Sequence, residues 1–351
     1  MVVGVRTKTA LTIAAAAVLV RALVLVASMY AGHLSIAQLA DARDGRSYLH
    51  YAAAARAPNG FASLPEYDRR VFPGYPALLA VLRLDAMPLL AMIVNWLAAG
   101  AVAALCFVLF DDARIGWAMA VLTPSYVMYS TVLMTEPLVL LLGVGALYFG
   151  RRERPAFAGA ALGLDALVRP LALPLGLAFL AERRKSPRAI VVAVIAAVVA
   201  IAIGAACFVW WSGSLSSGVR VYASDPRAYG GSSMFTWPFA SLVRTSLAPG
   251  IAKWKIAYIW LHVIAALGAL VPLARNARRE FPPFVWHASN MLLVLCVGGV
   301  WGFHEFHRLI VPSLPPLFWA YRRLLPSRTL AWIAIALLSA AVAAKGLSHG
   351  W

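Results

Sequence analysis

The chain has little charge, and acid is the scarcer sign. Only 13% of its 351 residues are Asp, Glu, Lys or Arg, and 14 carboxylates stand against 31 cations. With 62% of the chain hydrophobic, a water-soluble globule is excluded, because its surface would have nowhere to put so much apolar area. Cysteine is scarce as well. Cys106, Cys207 and Cys296 lie far apart in apolar runs, without metal-ligand spacing, and read as small core residues. No internal repeat occurs, no low-complexity segment beyond Ala and Val enrichment, and no polar stretch long enough to fold alone. The expectation is one integral-membrane domain over residues 1–351.

What is present is a succession of apolar runs about 20 residues long, enough to cross a bilayer as helices. Backbone polar groups in hydrocarbon must be satisfied within the segment, so helices are expected and strands are not. The runs predict spans at 10–30, 87–110, 115–134, 135–150, 188–211, 254–274, 283–303, 309–321 and 328–347. The first resembles a signal sequence but continues past Arg21 without a cleavage site, and reads as an uncleaved span. Residues 155–181 are apolar but interrupted by Asp165, Arg169 and Pro170. Proline removes a helix hydrogen bond and pushes the residue before it out of the helical region. A re-entrant hairpin of two half-helices with Arg169 at its tip follows. The fold class expected is therefore an all-α polytopic membrane protein of about 9–11 membrane helices, counting the hairpin, with a helical first outer loop over 31–86.

The net charge of +17 invites a nucleic-acid reading, but no aromatic-basic platform accompanies it. Most tight basic clusters sit in turns between apolar runs: Arg151–Arg154, Arg183–Lys185, Arg275–Arg279 and Arg322–Arg323. Placing them inside, with the N-terminus, satisfies the positive-inside rule provided that 72–84 lies at the interface instead of crossing. The outer face then receives the first loop, the Thr135-Glu136 junction, the Arg169 tip, a second loop at 212–253 and the run His304–Arg308.

Those outer residues are the candidates for chemistry. Asp44 suits a general base that accepts a proton from an attacking hydroxyl; an N-cap or an ion pair with Arg43 or Arg46 is the structural alternative, and Asp41 competes for the same role. Glu136 opens an apolar helix ahead of Pro137, where the helix dipole favours an acid. Arg169 and Arg21 are costly cations at membrane depth. Asp165 lies one turn before Arg169 and offers it an ion pair, whereas Arg21 needs a carboxylate or phosphate from elsewhere, or must snorkel. His304, Glu305, His307 and Arg308 form a polar knot that suits a lipid phosphate better than a metal, since a third fixed ligand is missing. Trp210, Trp211, Trp237, Trp254 and Trp301 read as an aromatic belt, with Trp237 and Tyr229 also able to stack on a sugar.

In order, Asp44 to Tyr48, Phe72-Pro-Gly-Tyr75-Pro76, Pro124 to Glu136, Ala158–Leu164 with Leu167-Val-Arg169-Pro170, and Arg308 with Pro312 resemble the GT-C superfamily of integral-membrane glycosyltransferases. The likeness is to bacterial relatives of the PIG-V-type mannosyltransferases that use polyprenyl-phosphate mannose. It covers residues 10–182 as a conserved-type module and 183–351, the variable C-terminal helices, loosely. The resemblance implies an inverting transfer of a sugar, mannose first, from a polyprenyl-phosphate donor to a lipid or glycan acceptor on the extracytoplasmic face of a cell membrane. It implies Asp44 as base and Asp41, Tyr48, Tyr75, Glu136, Arg169, His304, Glu305, His307 and Arg308 as substrate-binding residues. No metal or other cofactor is expected, the lipid-linked sugar being a co-substrate, and the partners expected are that donor, the acceptor and membrane lipids. Arg43 stands where the family usually has a tryptophan. A flippase for a lipid-linked saccharide is the competing expectation, favoured by the broken segment at Arg169-Pro170; a non-catalytic envelope scaffold is a third.

Overall fold

The computed structural model describes residues 2–57, 60–65, 68–169, 173–212, 235–278, 280–298 and 301–349. These are helical almost throughout; apart from one isolated bridge between Phe235 and Val297, no strand pairing occurs among them. Helix α1 (Val2–Ala31) runs antiparallel to α6 (Pro88–Phe110), because Arg6 near the start of one donates to the Val108 carbonyl at 3.2 Å near the end of the other. Between them the first loop folds into α2 (Ile36–Ala40), α3 (Gly45–Ala54), α4 (Gly60–Ser63) and α5 (Gly74–Val81). At eight residues, α5 is about 12 Å long and does not cross.

The run expected as two straight spans is broken into α7 (Ala113–Val121), α8 (Pro124–Thr131) and α9 (Glu136–Arg151). The α8–α9 pair bends by 105°. Prolines in the first turn explain both restarts: Pro124 and Pro137 cannot donate into a preceding helix but suit a new one. Next come α10 (Pro155–Val168), α11 (Leu173–Arg183), α12 (Pro187–Ser212), α13 (Ala240–Ser246) and α14 (Lys253–Asn276). The chain continues through α15 (Phe281–Leu295), α16 (Trp301–His304), α17 (Phe306–Leu309), α18 (Leu314–Ala320) and α19 (Thr329–His349). Among the described residues five helices, α1, α6, α12, α14 and α19, are long and apolar enough to cross a membrane, and the bent α8–α9 pair makes a sixth. The span expected at 283–303 stops at Leu295, and the one at 309–321 shrinks to α18, broken up by Pro312, Pro315 and Pro316. The chain is a multi-pass, all-α membrane protein.

Residues 155–181 do turn back on themselves. Arg151 at the end of α9 pairs with Glu182 at the end of α11 at 3.1 Å, while Arg169 just past α10 reaches Glu136 at the start of α9. The legs rise and return, but α10 packs on α9 and α12, and α11 on α9 and α15, more than on each other. Residues 170–172 at the tip lie outside the described residues. Small residues let α12 approach: Gly159 and Gly163 face Ala193 and Ala197. The rest of α12 is largely uncovered, as a lipid-facing helix should be.

The bundle thus has two ends. Arg6, Asp111, Arg151, Glu182 and Arg184 mark one, with Arg184 stacked 5.0 Å from the Phe281 ring centroid. Glu136 marks the other. A 16-residue α9 rises about 24 Å, against about 30 Å of hydrocarbon. Arg21 does not behave as expected. Among the described residues no carboxylate meets it and it does not snorkel: it donates to Ser130 Oγ (2.8 Å) and to the Ala17 (2.9 Å) and Ala120 (2.6 Å) carbonyls, while its Nη2 has no hydrogen-bond partner among them. Its guanidinium lies 5.4 Å from the Tyr126 ring centroid. The break between α7 and α8 makes this work, since a carbonyl freed at a helix end is an acceptor that a continuous helix would not offer.

Candidate active site

The site is organised around Glu136. The short segment that delivers it, Val132 to Thr135, cannot hydrogen-bond to itself as a helix and is held by α6. Asn95 Nδ2 donates to the carbonyls of Val132 (2.8 Å) and Met134 (3.0 Å), and Trp96 Nε1 donates to that of Thr131 (2.9 Å). Asn95 Oδ1 in turn accepts from the Tyr75 hydroxyl at 3.0 Å. Tyr75 therefore braces the acid through one intermediary, and its ring meets that of Tyr48 edge-on at 5.0 Å.

The same Phe72–Pro76 motif also places Arg169. A Cβ at Gly74 would come within 2.7 Å of the Leu167 carbonyl carbon and 2.8 Å of the Val168 nitrogen, so only glycine lets α5 seat against the end of α10. Arg169 follows at once, in extended conformation (φ −162°, ψ 137°) ahead of Pro170. This is why the ion pair expected between Asp165 and Arg169 does not form. The extended backbone takes Arg169 off the helix face that carries Asp165, and its Nη1 donates to Glu136 Oε1 at 2.5 Å. Both oxygens of the buried Asp165 lack a hydrogen-bond partner among the described residues.

Arg308 comes from the far end of the sequence. Its Nε donates to the Glu136 oxygen that Arg169 also uses, its Nη2 lies 2.8 Å from Asp44 Oδ2, and its Nη1 lies 3.8 Å from Glu305 Oε2. Asp44 occupies the N-cap position of α3 without capping it. Gly45 makes that corner possible, since a Cβ there would sit 2.0 Å from the Ala40 carbonyl oxygen. The outcome is a chain of alternating charge, Asp44, Arg308, Glu136, Arg169. Side-chain exposure is 22% at Asp44, 8% at Arg308, 1% at Glu136 and 17% at Arg169, so the chain is open at its two ends and closed at Glu136. At this burial each charge of the chain depends on its oppositely charged neighbour.

Around it, in the connecting segments, burial sets the proton affinities. The Tyr48 hydroxyl is pushed well above its usual range by burial and then by the Asp44 charge. Burial raises the Glu305 carboxyl, with Arg308 opposing. His307 is lowered to about 3 by burial and then by the positive charge of Arg43, so it is neutral at ordinary pH. Its Nε2 lies 2.5 Å from the Tyr129 hydroxyl, the two rings stack at 5.7 Å, and Arg308 sits 5.9 Å from the Tyr129 centroid.

Of the residues singled out by sequence, the structure brings Asp44, Tyr48, Tyr75, Glu136, Arg169, Glu305, His307 and Arg308 together. Asp41 is exposed at the end of α2 and stays out of the charge chain. The side chain of His304 and all of Tyr229 lie outside the described residues, and Trp237 is exposed. Among the described residues no three His, Cys, Asp or Glu side chains converge as a metal site. Asn95 and Tyr129 were missed. An asparagine in the middle of an apolar span is itself a signal, because its amide must find partners.

A carboxylate at the open edge, two arginines behind it and aromatic walls can accept a proton from a hydroxyl while stabilising a departing anion. The family model of glycosyltransferase family 87 matches residues 75–298, more than half of the chain. No curated protein and no solved structure gives a significant match. The match supports the GT-C resemblance at the level of membrane glycosyltransferases and carries nothing on PIG-V-type relatives or on mannose. The chain belongs to glycosyltransferase family 87, a GT-C-type membrane family.

Proposed function

We propose that the protein is an inverting glycosyltransferase that moves a sugar, mannose first among candidates, from a polyprenyl-phosphate donor to a lipid or glycan acceptor. The reaction runs at the Glu136 end of the bundle, which the positive-inside rule makes extracytoplasmic because the tight basic turns gather at the other end. The observation that carries the reading is Arg308 shared between Asp44 and Glu136. In the resting site Asp44 is held by Arg308. Donor phosphate competes for that guanidinium and leaves Asp44 to accept the proton of the acceptor hydroxyl. The acceptor oxygen bonds to the anomeric carbon from the face opposite the phosphate, the carbon–oxygen bond to phosphate breaks, and polyprenyl phosphate departs with Arg308 and Arg169 at its charge. Asp44 is the catalytic base. Glu136 holds both arginines in place, and the scheme draws on no cofactor.

The test is donor-dependent release of polyprenyl phosphate by purified protein across a panel of polyprenyl-phosphate sugars, wild type against Asp44→Asn. Release by wild type alone supports the reading and names the sugar; full activity in Asp44→Asn sinks it. Donor binding with lipid flipping and no turnover in any acceptor mixture favours the flippase that the broken α10–α11 segment suggests.

A further inference from the structure

Three carboxylates surround the Arg308 guanidinium. Glu136 takes its Nε, Asp44 lies 2.8 Å from Nη2, and Glu305 lies 3.8 Å from Nη1. Arg169 also pairs with Glu136, so with every group ionised the cluster sets three negative charges against two positive ones. Glu305 has the weakest claim on the shared cation. It occupies the N-cap position of α17 without capping it, as Asp44 does at α3, and its side chain is 18% exposed. A carboxylate this enclosed, at the long limit of an ion pair, is poorly compensated when ionised.

Its other neighbours do little to correct this. Asp44 at the start of α3 and Glu136 at the start of α9 both disfavour its charge, while Arg43 favours it. Arg43 is exposed, where water and salt screen it. Tyr129 faces Glu305 from α8. On its other side the neutral His307 stands between it and α14, whose Lys255 and His262 act on that imidazole.

Donor binding enlarges the imbalance. When an anionic phosphate engages Arg308, Glu305 on the adjoining nitrogen loses the same cation that Asp44 loses and gains a negative neighbour. A buried cluster takes on a further uncompensated charge only at high cost, and of two carboxylates sharing a site the less compensated one takes a proton first.

We infer that Glu305 is a positioning residue for Asp44: it takes a proton from bulk water as an anionic donor engages Arg308, and its O–H then donates to the Asp44 carboxylate, holding the base in place once the arginine has turned away. The inference rests on the transferase reading for the identity of the anion. Anion and proton enter together, so the total charge of the cluster is unchanged. Glu305 makes or breaks no bond of the substrate, and its proton returns to water when the site empties. A hydroxyl-to-carboxylate hydrogen bond is short and strong, which suits a base that must stay aligned with the attacking oxygen.

The probe is farnesyl methyl phosphate, a phosphodiester whose single charge does not titrate near neutral pH, so any proton taken up belongs to the protein. Isothermal titration of the full chain in detergent, in two buffers of different ionisation enthalpy between about pH 5.5 and 8.5, counts the protons bound with the probe. Expected in wild type is uptake of up to about one proton per probe, with a dissociation constant that weakens by up to about tenfold per pH unit on the alkaline side. Glu305→Gln should lose both. Glu305→Gln keeps an N–H for Asp44 and Glu305→Leu does not, so kcat for polyprenyl-phosphate release should be about tenfold lower in Glu305→Leu than in Glu305→Gln. Equal uptake in wild type and Glu305→Gln, binding by wild type without uptake at any pH, equal kcat in the two variants, or no binding of the probe each overturn the inference. Release by wild type without Glu305-dependent uptake removes this inference and leaves the transferase reading standing. Glu305-dependent uptake with no release from any lipid-linked sugar refutes the transferase reading and leaves the proton site standing.

Discussion

The two ends of the bundle use the same residue types to opposite effect. At the Arg151 end, Arg6 and Asp111 pair at 2.9 Å with side chains 47% and 78% exposed. Such pairs contribute about 0–1 kcal/mol, because water competes for both partners. At the Glu136 end the pairs are somewhat shorter, and Arg308 and Glu136 are only 8% and 1% exposed. Water cannot replace a lost partner there, and removing one half of a buried pair costs about 3–5 kcal/mol. Burial and sharing, more than a few tenths of an ångström, set the two ends apart. At one end the Arg6–Asp111 and Arg151–Glu182 pairs each have their own carboxylate, while at the other a single Glu136 oxygen serves two arginines.

The comparison can be broken most forcefully at its centre. Glu136→Ala leaves Arg169 and Arg308 without their common partner and should lower stability by about 3–5 kcal/mol, with transfer abolished; thermal unfolding in detergent together with the release assay reads both. A Glu136→Ala protein as stable as wild type would show that the buried pairs matter no more than the exposed ones. Asn95→Leu strikes one step away. It removes the donors to Val132 and Met134 and the acceptor of Tyr75, and should cost about 1–3 kcal/mol through the unsatisfied carbonyls, with kcat falling as Glu136 loses its support.

Acid sharpens the contrast further. His307 is held near 3 in the folded protein against an ordinary 6.5. The unfolded state therefore binds the extra proton between those values, and stability falls as pH drops from about 6.5 toward 3. His307→Gln should flatten that part of the pH dependence in thermal unfolding between about pH 4.5 and 7.5, and an unchanged slope would place the imidazole in water. The smallest effect belongs to the other end: Arg6→Gln should shift stability by no more than about 1 kcal/mol and leave transfer untouched.

The sequence made the fold class legible because apolar length is a strong signal: α1, α6, α12, α14 and α19 fall where the runs placed them. The weaker spans were misread where prolines intervene. Hydropathy averages over Pro124, Pro312, Pro315 and Pro316, whereas the backbone cannot, so 115–134 and 309–321 broke into shorter pieces. The site was legible as a set of residue types on one face, but not as a set of pairings. Asp165 looked like the partner of Arg169 because spacing was counted as if the helix continued, and Pro170 had already ended it. Arg21 looked in need of an anion because backbone carbonyls at a helix break leave no mark in composition. Nor does linear order announce that Arg308 meets Asp44 across most of the chain, since only packing decides it.

The central claim is that Asp44 belongs to the reaction and that its pairing with Arg308 is poised for it, unlike the exposed pairs at the other end. The most direct measurement is polyprenyl-phosphate release from the lipid-linked sugar that wild type turns over, comparing Asp44→Asn with Asp111→Asn at matched thermal stability. The account predicts donor binding retained and release abolished in Asp44→Asn, with Asp111→Asn at the wild-type rate. Equal rates in the two variants would contradict it.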